Sequence, residues 1–497
     1  MNHEFSHRTL NQVDQVKIKR NIIKVVAFVL TVVVAFFTLK TGNILFMGGL
    51  LALPFALMLM NRPDLAFMFG IVADATAITI RGINYLTVGV LMQCMVIASA
   101  ILSWALVGYN ASSQSFREKK PLMLFTGLVL ILMASRGTGL RFLGSETWGG
   151  MIYIRIFVAV AFYLAIRKVD ISKKLFKYAI IGTFIGGVLG ALIQRSGFVA
   201  AASQLSSIGP EAIGSKRLMW LQPFVYAAFP LVLAIRWKFR PLGLFIWIVL
   251  LGAMGLTGFR SRIVALIMVT VLFGFIGSKT RIKYSIKCFI AGALLWISAI
   301  LVSPYVPAGL QRAVSFLPGT KIETFAGKDA LESVEWRVEI WKYCWERFPD
   351  YFWIGRGSTF NVYDTVENLS TSDIILYTPW FAFQTHAYHS GPLTLLIDYG
   401  FPGFLVGTWL LLAIGVSAWK IAVNMVQYNS LESRYCLALC CWLLWEVISF
   451  FLVYGQMPKF GRILVAGAVV TVLARSVEKI KATLHPDEVI HQTAETV

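Results

Sequence analysis

Five side chains in this sequence have the types needed to handle a phosphorylated substrate: Arg217, Arg260, Arg262, Arg337 and His389. Guanidinium keeps its charge at every accessible pH and offers a planar fork of donors that fits phosphate oxygens. Imidazole is the side chain best placed to take a proton from a hydroxyl near neutral pH. Arg260 and Arg262 sit in the short stretch Thr257-Gly-Phe-Arg-Ser-Arg, Arg217 stands just before Leu-Met-Trp-Leu-Gln-Pro-Phe, and His389 closes His386-Ala-Tyr-His. Each has a plainer reading. Arginines at a membrane edge snorkel to headgroups, Arg337 can pair with an acid of its own segment, and a histidine at a helix start can simply hydrogen-bond. His386 and His389, as i and i+3, can share a helical face and hold a metal. With no clustered carboxylates or thiolates beside them, no metal is expected.

The elements that position these residues follow from composition. The chain has 497 residues, 57% hydrophobic and 14% charged, with mean hydropathy +0.71. Soluble domains carry about 25% charged residues, so this chain cannot cover itself with a water-facing surface. Apolar runs recur between Ile22 and Ala474, each long enough to cross a hydrocarbon core of about 30 Å as a helix. Alternation at period two is missing, which excludes an outer-membrane barrel. The expected fold is all-α: a polytopic bundle of about 12–14 spans. The expected divisions are an N-terminal tail (1–21), a bundle (22–303), an outer loop domain (304–392), C-terminal spans (393–475) and a tail (476–497).

The formal charge of +20 does not mean nucleic acid. Lys and Arg cluster in short loops, as at Arg117–Lys120, Arg167–Lys177, Arg236–Arg240 and Lys279–Lys287, and every such loop falls on the N-terminal side of the count. That is the positive-inside pattern, which puts both termini in the cytoplasm. The first apolar run lacks a cleavage pattern and reads as a retained helix. The six cysteines contain no CxxC pair, so neither a disulfide framework nor zinc is indicated.

The five residues then all fall on the opposite, periplasmic side. So does the long stretch Pro304–Pro392, which contains Trp336, Trp341, Trp345, Trp353 and Trp380. Within it Glu332–Phe348 reads as an amphipathic helix with Trp336, Ile340, Tyr343 and Cys344 on one face. Asp74, Asp398 and Glu446 lie inside apolar runs at a cost of about 2.5–3.5 kcal/mol each, and so need partners. A proton-coupled transporter would use such acids, which keeps that class, or a flippase, as an alternative.

Four stretches resemble the O-antigen ligase and polymerase superfamily of bacterial envelope glycosyltransferases. They are Arg217 with Gln222-Pro-Phe-Val-Tyr-Ala; Thr257-Gly-Phe-Arg-Ser-Arg; Arg337-Val-Glu-Ile-Trp341 running on to Gly355-Arg-Gly357; and His389-Ser-Gly-Pro-Leu-Thr-Leu-Leu-Ile-Asp398-Tyr-Gly400-Phe-Pro-Gly403. Spacing to Asp398, Gly400 and Gly403 selects His389 rather than His386. Ser390 stands where the family usually has asparagine, and Asp398 where it has glutamate. The resemblance implies a transferase moving glycan from undecaprenyl diphosphate to lipid A–core, or to another carrier-linked chain in a polymerase. It implies His389 as base and Arg217, Arg260, Arg262 and Arg337 as diphosphate ligands. His386, Asp398 and Trp341 would stand behind them. Because the donor sugar is already activated, no cofactor is implied. Donor, acceptor and membrane lipids are the expected partners, without nucleic acid.

Overall fold

A computed structural model describes residues 62–76, 88–107, 117–140, 149–166, 169, 171–195, 218–257, 259–305, 325–359 and 378–484, with isolated positions between 311 and 320. The apolar stretch from Ile22 to Met60, the N-terminal tail, residues 485–497 and Arg217 lie outside these residues, while 476–484 of the expected C-terminal tail continue the last helix. Among the described residues every regular element is helical, as composition required. The α-helices are α1 (Pro63–Thr76), α2 (Val88–Val107), α3 (Lys119–Arg136), α4 (Met151–Ala165), α5 (Lys173–Arg195), α6 (Gln222–Ala234) and α7 (Arg240–Gly255). Then come α8 (Arg260–Gly277), α9 (Arg281–Val302), α10 (Phe325–Arg347), α11 (Pro379–Gln384), α12 (Gly391–Met425), α13 (Leu431–Leu452) and α14 (Met457–Leu484).

Six of them are long and apolar enough to cross a membrane (α5, α8, α9, α12, α13 and α14), and α2, α4, α6 and α7 supply shorter apolar helices. The chain is a multi-pass membrane protein. Its apolar side chains point outward as well as inward: Phe245, Leu244 and Phe289 are exposed, while Phe125, Phe229 and Phe460 are buried. Lipid accepts both, because a helix satisfies its own backbone polar groups and needs nothing more from the solvent. What holds such helices together is close packing of small residues. In α5, Gly186 and Gly190 press on the carbonyls of Val72 and Thr76, and Gly187 on Ala227 and Pro223. A Cβ at any of the three would force α1 or α6 away.

The C-terminal helices α12, α13 and α14 pack on one another, with α3, α4, α6 and α8 around them. Above one end sits a smaller apolar cluster of Ile340, Cys344, Ala382, Phe383, Tyr388 and Ile397. The amphipathic helix expected over Glu332–Phe348 is part of the longer α10. Its apolar face is the expected one, with Ile340 and Cys344 fully buried and Trp336 and Tyr343 packed beside them. Burial pushes the Cys344 thiol up to about 12, which makes it a packing group rather than a nucleophile.

One backbone device fixes this cap to the bundle. α12 breaks at Gly400, which adopts φ 69 and ψ 179, and Pro402 follows with no N–H to give. The break orphans the carbonyls of Ile397 and Asp398. They are taken up by the amides of Arg356 (2.7 Å) and Gly357 (2.9 Å), while the Phe401 amide turns to the Phe352 carbonyl (2.7 Å). So intimate an exchange needs glycine on both sides. A Cβ on Gly355 would lie 2.3 Å from the Asp398 carbonyl, and one on Gly400 would lie 2.9 Å from the Gly355 nitrogen. Gly355→Ala and Gly400→Ala should each cost about 2–4 kcal/mol. The check is melting in detergent, where both variants should unfold several degrees below wild type. Gly127→Ala, which meets no neighbouring atom within 4 Å, should not.

Candidate functional site

The site is assembled where the α11–α12 connection meets the turns that open α8 and α14. The connection carries both histidines. Sequence spacing allowed them a shared helical face, but the structure gives neither a helical backbone: His386 has φ 58 and His389 φ 55. Left-handed backbone is uncommon for residues other than glycine and costs free energy that the surroundings must offset. Here the surroundings are a buried frame. Asp398 Oδ1 accepts from the Tyr388 hydroxyl at 2.7 Å and from His386 Nδ1 at 2.8 Å. Trp341 Nε1 donates to the Tyr388 carbonyl at 2.9 Å, and the Ala387 amide to the Ala382 carbonyl at 2.8 Å. Tyr388 is fully buried and Asp398 is 1% exposed. Burial, with the Asp398 carboxylate beside it, pushes the Tyr388 phenol well up, so it stays a donor.

His386, Asp398 and Trp341 together hold the connection. His389 faces the other way. Its ring lies between Trp336 and Tyr454, with centroids 5.2 Å from each. Burial, and secondly the Arg337 cation, pull its pKa down to about 4. At neutral pH it is an uncharged imidazole, and its Nδ1 is buried without a hydrogen bond. Tyr454 reaches it because the start of α12 seats on the α13–α14 turn. Thr394 Oγ1 donates to the Gly455 carbonyl at 3.1 Å, and a Cβ on Gly391 would strike the Phe450 carbonyl at 2.2 Å.

Of the five residues singled out in the sequence, Arg337 is brought directly to His389. Arg262 is brought to it through Tyr454, which it faces electrostatically together with Tyr226 and Arg462. Its guanidinium carbon stands 3.9 Å from the centroid of the Phe259 ring, and its Nη1 is buried without a hydrogen bond. Arg260 opens the same helix, half-buried. Arg217 lies outside the described residues. The next residue, Leu218, donates its amide to the Leu256 carbonyl at 3.2 Å, at the end of the helix before the Arg260 turn.

Sequence reasoning missed two cations here, Lys459 and Arg462 on α14. Lys459 pairs with Glu446 at 3.2 Å and donates to Ser449 at 2.5 Å. Arg462 acts electrostatically on Tyr226, and with Arg155 on Asp74. The signal was present, since both follow an outer turn, as Arg260 and Arg262 do. Around the site Arg262 and Arg462 act on Tyr226, Arg337 acts on His389, Arg155 and Arg462 act on Asp74, and Lys459 pairs with Glu446. Several guanidinium groups gathered near one imidazole suit an anionic ligand. Two other arginines at this end are engaged with protein. Arg136 donates to the Gly355 and Ile354 carbonyls, both at 3.1 Å, and Arg356 to Gln384 Oε1 at 2.5 Å.

Fold and site together define a multi-pass α-helical membrane protein with a cationic, histidine-bearing site where its helices meet a helical cap. Residues 244–407 match the family model described as O-antigen ligase. The segment from α7 to the first turns past the α12 break is thus similar to the O-antigen ligase family, as the motifs suggested. A comparison with curated proteins finds no match.

Proposed function

We propose that this protein transfers a glycan from undecaprenyl diphosphate to a lipid A–core acceptor at the periplasmic face of the inner membrane. The observation that carries the reading is a neutral, buried His389 with Arg337 acting on it and Arg262 reaching it through Tyr454. His389 takes the proton of the acceptor hydroxyl as its oxygen attacks the anomeric carbon. The bond from that carbon to the diphosphate oxygen breaks, undecaprenyl diphosphate leaves, and configuration inverts. Arg260, Arg262 and Arg337, with Arg217 as the motif implies, bind the diphosphate and stabilise charge growing on the leaving oxygen. Sugar has a platform next to the base: an outer groove of about 470 Å³ lined by Trp341, Lys342, Trp345, Glu346 and Ser390.

Of the three acids that raised the transporter alternative, Asp398 accepts from His386 and Tyr388, Glu446 pairs with Lys459, and Asp74 has Arg462 and Arg155 acting on it. Uptake into vesicles blocked by Asp398→Asn would favour that class. A deletion strain separates ligase from polymerase. Loss of a ligase leaves polymer on the carrier, whereas loss of a polymerase leaves lipopolysaccharide carrying a single repeat. Complementation with Arg262→Ala should restore transfer about 10- to 100-fold less well than wild type. Full restoration by Arg262→Ala would remove the diphosphate role.

A further inference from the structure

We propose that the cleft between α8, α9 and α12, at the end of the bundle away from His389, binds one anionic phospholipid, its phosphate held by Lys279, Arg281 and Lys283. The cleft measures about 890 Å³, within the range of ligand sites. Its rim is the three cations and its wall is apolar, formed by Ile276, Val423 and Val426. None of the three cations forms an ion pair with a described residue. Arg281 instead leans over the Phe275 ring at 5.8 Å. Positive charge is therefore concentrated at the mouth of an apolar cleft with no acid to answer it.

The neighbouring helix says which anion fits. α9 has the length and hydropathy of a span, yet no side chain in it is buried. It meets α8 near the turn, where the Tyr284 hydroxyl donates to the Thr270 carbonyl at 3.3 Å, and exposes Ile286 and Phe289 on from the cleft's own Ile282. A free phosphate would use the cations and leave the wall idle. A phospholipid uses both, with its phosphate at the loop and its acyl chains along α9 and α12. Each basic residue near a lipid surface adds to attraction for anionic headgroups, so three together select charge strongly.

Full-length protein, delipidated in detergent, is titrated with phosphatidylglycerol or phosphatidylcholine and read by native mass spectrometry. One phosphatidylglycerol should bind at least tenfold tighter than phosphatidylcholine. The triple variant K279Q/R281Q/K283Q should lose that preference, and the charge-preserving K279R/R281K/K283R should keep it. Millimolar inorganic phosphate should not displace the lipid. The proposal is overturned if the glutamine variant keeps its preference, or if the charge-preserving one loses it. Displacement by phosphate would mean a free-anion site, and a dimer that depends on these cations would mean a second copy occupies the cleft. Either of those also overturns it. No outcome depends on glycan transfer, so this test is independent of the proposed reaction.

Discussion

His389→Ala should lower glycan transfer at least about 100-fold while the protein remains in the membrane at its normal level. The expectation rests on where the ring sits. It packs between Trp336 and Tyr454 but contributes no hydrogen bond through Nδ1, so truncation removes two ring contacts and no part of the frame. The frame belongs to Asp398, His386 and Tyr388. A base of this kind also has a recognisable pH profile. In the ligand-free protein the imidazole is held down to about 4, so it is already deprotonated throughout the neutral range. Transfer should be flat near neutrality and fall only as acid protonates the ring. Bound diphosphate brings negative charge beside His389 and Arg337, which moves that fall to higher pH and makes the ring a stronger base when it is needed. Stability moves in the same direction. Between about 4 and the ordinary value of 6.5 the unfolded chain binds a proton that the folded one refuses, so the fold weakens as pH drops through that window. His389→Ala should flatten this acid-side loss in a melting series. Transfer at wild-type rate by His389→Ala would remove the base from the mechanism.

Much of this architecture was legible because lipid imposes a simple rule. The apolar runs that open at Leu242, Ile263 and Ile286 lie in helices, yet hydropathy marks their starts too late, since α7, α8 and α9 begin at Arg240, Arg260 and Arg281. The headgroup zone tolerates charge, so hydropathy stops reporting before the helix does. The C-terminal spans, expected to begin at 393, likewise start earlier, with α12 opening at Gly391. The two histidines were harder. A spacing of three residues shows what a helix would do with them, not that the connection takes left-handed backbone at both. That Asp398 serves His386 rather than His389 depends on the Trp341 and Tyr388 contacts, which join segments far apart in sequence. The glycine motifs read as family markers in the sequence. The structure supplies their reason, the exchange of amides and carbonyls across the α12 break. Arg462 shows the other limit. Its nearness to Asp74 spans most of the chain, and no local pattern reports it.

Asp398→Ala should be the most damaging single change at the site, abolishing transfer and leaving little folded protein in the membrane. One carboxylate oxygen accepts from two buried donors, and alanine would leave both the Tyr388 hydroxyl and His386 Nδ1 without it. Each stranded group costs about 1–3 kcal/mol. The left-handed turn at His386 and His389 would also lose the contacts that offset its strain, and the cap packs on that turn through Tyr388. Asp398→Asn separates the two roles of the residue, charge and acceptor. Its amide oxygen can still accept from both the Tyr388 hydroxyl and His386 Nδ1, so the protein should fold and reach normal abundance. It loses the negative charge that strengthens both bonds, so the turn loosens and transfer should fall about tenfold. His389 would then be present but imprecisely held, a fault seen in rate rather than in abundance. The ordering is the test: wild type, then Asn, then Ala, in both melting temperature and transfer. If Asn proves as damaging to folding as Ala, the charge and not the hydrogen bonding holds the frame. If Ala transfers glycan at the wild-type rate, the His386–Tyr388–Asp398 cluster does not position His389 at all.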